Sequence, residues 1–208
     1  MRKDILDNFD AIVSTIADDN LVVMRSETIY GIFASAMSKK AVSNLHNVRE
    51  RDSKQGFIVL IDSIKTLNKI VSLPNKIVKR LDLIWQAAYA TSVVLPAKNI
   101  KEKWLPDQRP EFKDTVCFRL PHDKTLQRLI ATVGPLCAPS ANLPGRPPAS
   151  NIKEAKQYFP EGGGVGLYVD GGECAETKPS RIIRLRPDGS VETLRPDGFD
   201  HPEDLAPI

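Results

Sequence analysis

Four short apolar runs, rich in β-branched residues, limit what this chain can become. "LVVMR" (21–25), "GFIVLI" (56–61), "TSVVLPA" (91–97) and "TVCFRLP" (115–121) are each too short for a buried helix. They carry the residue types that pack on a pleated surface. Between them lie segments of helical period. Residues 4–18 place Ile5, Phe9, Ile12, Val13 and Ile16 on one face, and residues 38–49 do the same with Val42 and Leu45. Further helices are expected near 63–70, 75–89 and 124–134, the last stopped by Gly134. Ser150 or Asn151 caps another over 150–159. The final third holds strands near 166–169, 181–186 and 191–195, with Asp188-Gly189 as a hairpin turn between the last two. Helices and strands alternate, but the end is strand-heavy. That order predicts an α/β fold on a mixed sheet rather than a doubly wound parallel one, in a single domain of residues 1–208.

Composition and missing motifs exclude several classes. The chain is 41% hydrophobic and 26% charged, as in globular proteins generally. No apolar run approaches the ~20 residues of a membrane span. Met1-Arg2-Lys3-Asp4 leads into an acid-bearing amphipathic segment rather than a signal peptide, which points to a reduced, cytoplasmic protein with no membrane partner. The cysteines Cys117, Cys137 and Cys174 are far apart, so neither a zinc site nor a disulfide framework is expected. Cys117 and Cys137, in apolar runs, read as buried thiols. His46, His122 and His201 form no cluster, and no metal site is expected. The chain lacks GxxxxGK[ST], GxGxxG and GxSxG. "GGGVG" (162–166) follows a helix and precedes a strand, the reverse of a phosphate loop. The net charge of +3 permits an anionic ligand or nucleic acid without demanding one.

What remains is polar residues at strand ends and in stiff loops. "RSETIYG" (25–31) follows the first strand, and "NVRERDSKQGF" (47–57) leads into the second with Arg49, Arg51 and Lys54 close together. Residues 98–114, broken by Pro106 and Pro110, read as a polar surface loop. Arg119 ends an apolar strand, "KPSR" (178–181) opens another, and Arg195 ends the hairpin. "APSANLPGRPP" (138–148) carries four prolines and a glycine around Ser140 and Asn142. The guanidinium fork suits phosphate and carboxylate, and Ser and Asn orient small ligands through directed hydrogen bonds. Plainer readings stand beside these. Residues 49–54 could form a solvated face, Ser140 and Asn142 could be turn formers bonding their own backbone, and Arg119 could be an edge-strand arginine.

In order along the chain, these segments resemble the YrdC/TsaC family of L-threonylcarbamoyladenylate synthases, from about residue 8 to 198. "RSETIYG" is similar to that family's opening motif, "RERDSKQGFIVLI" to its K-x-R segment, "CFRLP" to its VRxP strand end, "PSANLPGRPP" to its SAN loop, and "KPSRIIRL…TLRPDG" to its close. The resemblance implies a YrdC-like open α/β fold with a twisted mixed sheet around a basic concavity. It implies a nucleotidyltransferase that condenses L-threonine, bicarbonate (or CO2) and ATP to threonylcarbamoyl-AMP and pyrophosphate, with Mg2+ held chiefly by phosphates and water. The product would pass to downstream threonylcarbamoyl-transferase proteins for modification of tRNA adenosine. Carried onto this chain, the family pattern gives Arg49 and Arg51 the phosphates as catalytic residues, and Ser140, Asn142, Ser180 and Arg195 the rest of the ATP site. Ser26, Thr28 and Arg119 would hold threonine. Arg49 replaces the family's Lys, Gln55 fills a position usually Asn or Lys, and Arg181 replaces Thr. The Trp-Pro-Gly-Pro-x-Thr run is eroded to "IWQAAYATS", with Trp85 displaced and Ser92 standing in for Thr. These departures are expected to touch the substrate pocket. Two other readings stay open: a non-catalytic member binding tRNA or double-stranded RNA weakly through phosphates, and a carbamoyl-transfer enzyme with another acceptor amine.

Overall fold

Successive side chains of a strand point to opposite faces, and in this protein the two faces meet different partners. The computed structural model describes residues 2–97, 100–174 and 178–196. Asp197 and Gly198 of the closing motif, Lys98 and Asn99 of the polar loop, and His201 lie outside them. In chain order the elements are α1 (Lys3–Asp7), α2 (Phe9–Ala17), β1 (Leu21–Arg25), β2 (Tyr30–Ser35), α3 (Lys39–Val48), β3 (Ile58–Leu60), α4 (Ile64–Ile70) and α5 (Asn75–Gln86). Then come β4 (Thr91–Pro96), β5 (Thr115–Arg119), α6 (Lys124–Val133), β6 (Leu136–Cys137), α7 (Ile152–Tyr158), β7 (Val165–Val169), β8 (Arg181–Leu185) and β9 (Val191–Arg195). The described strands form one sheet in the order β7-β1-β2-β6-β3-β5-β4-β8-β9. Pairs β1/β7, β3/β5 and β4/β8 are parallel and the other five antiparallel, so the sheet is mixed.

One face is covered along its length. Val23, Ile32, Val59, Phe118 and Ile183 pack there against Leu45 of α3, Leu67 of α4 and Leu81 of α5. The opposite face is covered only in part. Val22, Met24, Phe33, Leu60 and Leu136 meet Ile5 of α1, Ile12 and Ile16 of α2, and Leu126 and Leu129 of α6. That second layer stops at β3. Beyond it, Val94 of β4, Cys117 of β5 and Ile182 of β8 belong to neither core cluster and floor a cavity instead.

Several expectations change at the level of the backbone. The helix expected over 4–18 is two helices, broken at Asn8, whose side-chain amide bonds the Asp4 carbonyl. β2 has no counterpart in the sequence reading. Gly31, Ala34 and Ser35 weaken its strand propensity, and it is held by pairing on both sides: antiparallel with β1 from Val22–Phe33 to Arg25–Tyr30, and with distant chain, where Ala34 and Ser35 align with Cys137 and Leu136 and the Ile32 amide bonds the Pro139 carbonyl. Gly31 is there for space, because a Cβ would lie 2.9 Å from the Phe33 ring and 3.1 Å from the Pro139 carbonyl. The α6 helix ends as read, at Gly134 with φ of 85°, its amide bonding the Ile130 carbonyl. Asn151, not Ser150, caps α7 by accepting from the Glu154 amide.

Phe118 and Cys117 are adjacent on β5 and face opposite layers, which sets a direct test. Phe118 is fully buried in the covered face, so Phe118→Ala should cost ~3–5 kcal/mol. Cys117→Ala, on the open face, should cost less than about 1 kcal/mol. Urea unfolding of the two variants measures both values.

Candidate active site

The open part of the sheet floors a cavity of about 530 Å3, within the range of small-ligand sites. Its walls are the chain segments that follow β1 and β6 and precede β3 and β8. The nine residues given a substrate role from the sequence all line it: Ser26, Thr28 and Arg119; Arg49 and Arg51; Ser140 and Asn142; Ser180 and Arg195. Residues up to 169 positions apart in sequence (26 to 195) thus meet around one space.

Five arginines line the cavity, Arg49, Arg51, Arg109, Arg119 and Arg195, against a single carboxylate, Asp107. Three are oriented by neutral acceptors. Arg49 donates to the Asn142 carbonyl from Nε (3.1 Å) and Nη2 (2.9 Å), and from Nη2 to Asn142 Oδ1 (3.1 Å). Arg51 donates to Gln55 Oε1 (2.7 Å) and the Gly56 carbonyl (3.2 Å) and lies 5.0 Å over the Phe57 ring. Arg195 donates to the Ser180 carbonyl from Nε and Nη2. A carbonyl fixes a guanidinium without neutralising it, so these charges stay available to a ligand. Burial pushes Arg49 and Arg51 down to about 10, Arg51 also through the charges of Arg49 and Arg109, and both remain cationic at neutral pH. Burial lowers Arg195 as well.

Arg119, only 5% exposed, ends β5 against the turn that follows β1. Its Nη1 reaches Thr28 Oγ1 at 3.4 Å, and its Nε faces Glu27 Oε1 at 3.8 Å, an ion pair longer than a hydrogen bond. The Ser26 hydroxyl is spent on its own turn: it accepts from the Thr28 and Ile29 amides, donates to the Ile29 carbonyl, and lies 2.9 Å from Thr28 Oγ1. Thr28 therefore joins the Ser26 turn to Arg119. The SAN loop is similarly self-contained. Asn142 Oδ1 accepts from Ser140 Oγ (2.6 Å), and Nδ2 donates to the Leu143 and Arg146 carbonyls. Ser140 and Asn142 do bond their own loop, and the proline-stiffened segment is locked before any ligand arrives.

Other expectations are corrected. Cys117 is part-exposed on the cavity floor rather than buried in the core, because it shares the open face of β5 with Thr115 and Arg119. Burial still pushes its thiol up to about 12 against the pull of Arg195 and Arg119, so it is a weak nucleophile. Of the departures expected to touch the pocket, Arg49 and Gln55 do so, whereas Trp85, Ser92 and Arg181 are not among the lining residues. Arg181 sits on the covered face of β8, donating to Thr91 Oγ1 (3.1 Å) with its guanidinium 4.7 Å over Tyr89. Ser92 lies behind Ser180, hydroxyl to hydroxyl at 2.8 Å.

The sequence reading missed Asp107, Arg109 and Phe112, because residues 98–114 carry no periodicity and read as surface. The loop is in fact fastened to the segment before β3: Asp107 accepts from the Gly56 amide (3.0 Å), and the Gln108 amide bonds the Lys54 carbonyl. It also missed a supporting layer. Arg2 bonds the Arg25 and Ser26 carbonyls, and Glu27 Oε2 accepts from the His122 and Asp123 amides, so the turn after β1 is braced against the start of α6. Glu27 lies inside "RSETIYG", whereas Arg2 belongs to no motif. Among the described residues no group of His, Cys, Asp and Glu is placed to hold a metal ion, and no helix is long and apolar enough to cross a membrane.

An open mixed sheet with a cationic cleft over its uncovered face defines a class of α/β protein built to hold small anionic ligands. The comparisons make the class specific. The Sua5_yciO_yrdC family model, described as "Telomere recombination", matches residues 14–197. The chain belongs to this Sua5/YciO/YrdC family. It is 31% identical over 176 residues to the threonylcarbamoyl-AMP synthase of Pseudoalteromonas translucida, covering 83% of this chain and 90% of that one. Its fold is similar to P. abyssi Sua5 complexed with L-threonine, with a TM-score of 0.77 and 26% identity over 93% of this chain. The match spans 55% of that longer protein. E. coli YciO shares the fold at a TM-score of 0.76 and 20% identity, covering 98% of this chain and 94% of that one.

Asp107 makes the site's wall sensitive to acid. Burial alone would raise its carboxyl, but hydrogen bonds from the Arg109 side chain and from the Arg109 and Gly56 amides hold it below the usual carboxylate range. A depressed folded value contributes stability above the unfolded value, about 3.9, and that stability is lost as pH falls through the folded one. Asp107→Asn should therefore be less stable than the parent at pH 7, and the two stability curves should converge below about pH 4. Urea titrations from pH 2 to 7 measure this.

Proposed function

We propose that this protein is an L-threonylcarbamoyladenylate synthase acting on L-threonine, bicarbonate or CO2, and ATP. The observation that carries the reading is where the charge sits. The whole chain has a net charge of +3, while the cavity alone sets five arginines against one carboxylate. The cationic excess is therefore gathered in one small-ligand site rather than spread as a nucleic-acid surface. This favours catalysis over the RNA-binding alternative, and membership of the family supplies the reaction.

In this mechanism the threonine amine takes up CO2 and loses a proton, giving a carbamate. A carbamate oxygen attacks the α-phosphorus of ATP. The bond from that phosphorus to the bridging oxygen breaks, and pyrophosphate leaves with the electron pair. The work asked of the protein is positioning and charge neutralisation. Arg49 and Arg51 hold phosphates, and the preformed Ser140–Asn142 loop presents them at low entropic cost. Ser180 and Arg195 close the nucleotide side. Arg119 offers its fork to the threonine carboxylate, with Thr28 beside it and Ser26 shaping the turn. Asp107, the cavity's carboxylate, is committed to Arg109 and Gly56, so the lining residues do not themselves form a Mg2+ site. The ion would enter with ATP on phosphate and water oxygens, where it screens phosphate charge. The product would pass to threonylcarbamoyl-transferase proteins that modify tRNA adenosine, with the tRNA itself bound weakly and through phosphates, in the cytoplasm.

The test is to incubate the protein with ATP, Mg2+, bicarbonate and single amino acids, and to detect the carbamoyl adenylate and pyrophosphate by mass spectrometry. Threonine should give threonylcarbamoyl-AMP, and 2-aminobutyrate, lacking the hydroxyl, should be used far less well. Arg119→Lys keeps the charge but loses the fork, so it should raise the KM for threonine about tenfold or more and leave that for ATP nearly unchanged. Absence of any adenylate with every amino acid would overturn the assignment.

A further inference from the structure

We propose that Arg109 is a third phosphate-binding residue of the cavity, placed to hold the terminal phosphates of the nucleotide and the pyrophosphate that leaves. The inference rests on the nucleotide reading above and adds a residue from a loop that carries no recognised motif.

Arg109 is built as an oriented cation rather than a loose surface side chain. Its Nε and Nη2 are held by both oxygens of Asp107, at 2.7 to 3.2 Å, and the guanidinium carbon lies 4.6 Å over the Phe112 ring. A guanidinium has five N–H donors, so the pairing leaves others to give. Nη1 carries no hydrogen bond among the described residues, and the side chain is 31% exposed at the cavity wall.

Asp107 also ties this cation to Arg51. Arg51 Nη2 donates to the Gly56 carbonyl, the Gly56 amide donates to Asp107, and Asp107 holds Arg109. Gly56 allows the close approach, since a Cβ there would lie 3.3 to 3.4 Å from the Leu105 carbonyl and Asp107. Arg109 is close enough that its charge pushes Arg51 down. Arg49, Arg51 and Arg109 thus gather at one side of the cavity with a single acid between them, an excess suited to a polyanion rather than a lone phosphate. When the bond to the α-phosphorus breaks, the electron pair and its charge move onto pyrophosphate. The net positive charge of Arg49, Arg51 and Arg109 over Asp107, fixed there beforehand, meets that charge without reorganising.

The test is calorimetric binding of ATP, AMP and inorganic pyrophosphate to the parent, Arg109→Ala and Arg109→Lys, with Tm recorded for each. We expect Arg109→Ala to lose on the order of tenfold in affinity for ATP and pyrophosphate, a change worth about 1.4 kcal/mol. AMP should stay within about twofold, and Arg109→Lys should recover part of the loss. A merely structural arginine would weaken ATP and AMP by the same factor, and that result, or unchanged ATP and pyrophosphate affinity in Arg109→Ala, overturns the proposal. If the parent binds pyrophosphate but not ATP, the synthase reading fails, while a selective loss of pyrophosphate in Arg109→Ala still supports Arg109. If the parent binds neither, both readings fail.

Discussion

The site depends on a sheet that is covered twice at one end and once at the other. Helices α1, α2 and α6 pack over β7, β1, β2, β6 and β3 on one face and go no further. The remaining strands, β5, β4, β8 and β9, keep helices on the opposite face alone. On β5 this splits the chemistry by parity. Val116 and Phe118 are core, while Thr115, Cys117 and Arg119 face the cavity. A buried arginine at the end of a core strand is otherwise costly, because its charge loses water. Here it opens onto a cleft, with Thr28 Oγ1 accepting from Nη1 and the Glu27 carboxylate facing it as a longer ion pair.

Backbone carbonyls rather than carboxylates hold most of the cavity's charges. Buried cations usually find carboxylates. Arg49, Arg51 and Arg195 instead find the carbonyls of Asn142, Gly56 and Ser180. Each carbonyl belongs to a constrained stretch: the proline-rich loop, the glycine fastened by Asp107, and the residue between Pro179 and β8. The backbone thus sets each guanidinium's direction and leaves its charge unspent. Burial costs both Arg49 and Arg51 their water, and Arg51 is lowered further by like-charge repulsion from Arg49 and Arg109. An anionic ligand relieves it, which makes binding energy and local strain two sides of one arrangement.

The family departures take on a physical meaning once placed. Arg49 for Lys supplies a fork that grips both the carbonyl and the amide oxygen of Asn142, a geometry a single ammonium reproduces poorly. Gln55 meets Arg51 as a neutral acceptor. Arg181 for Thr looked like a change in the pocket, yet strand parity turns it to the covered face, onto Tyr89. The eroded segment before β4 lies behind Ser180, where Ser92 supports that hydroxyl without lining the cavity.

The sequence by itself determined whatever acts within a few residues. β-Branched runs specified β1, β4 and β5, apolar spacing specified α3, α5 and α6, Gly134 ended α6, and four prolines stiffened the loop around Ser140 and Asn142. The ordered motifs also named nine residues that the fold brings to one cavity. Tertiary structure alone decided what depends on distant partners. β2 is held between β1 on one side and chain a hundred residues away on the other, despite Gly31. The loop carrying Asp107 and Arg109 becomes a cavity wall because it fastens to Gly56, fifty-one residues earlier. Cys117 faces the cleft because no helix covers that part of the sheet. Alternation along a strand tells which residues share a face, but which face is left open is settled by where the helices run out, and no local pattern records that.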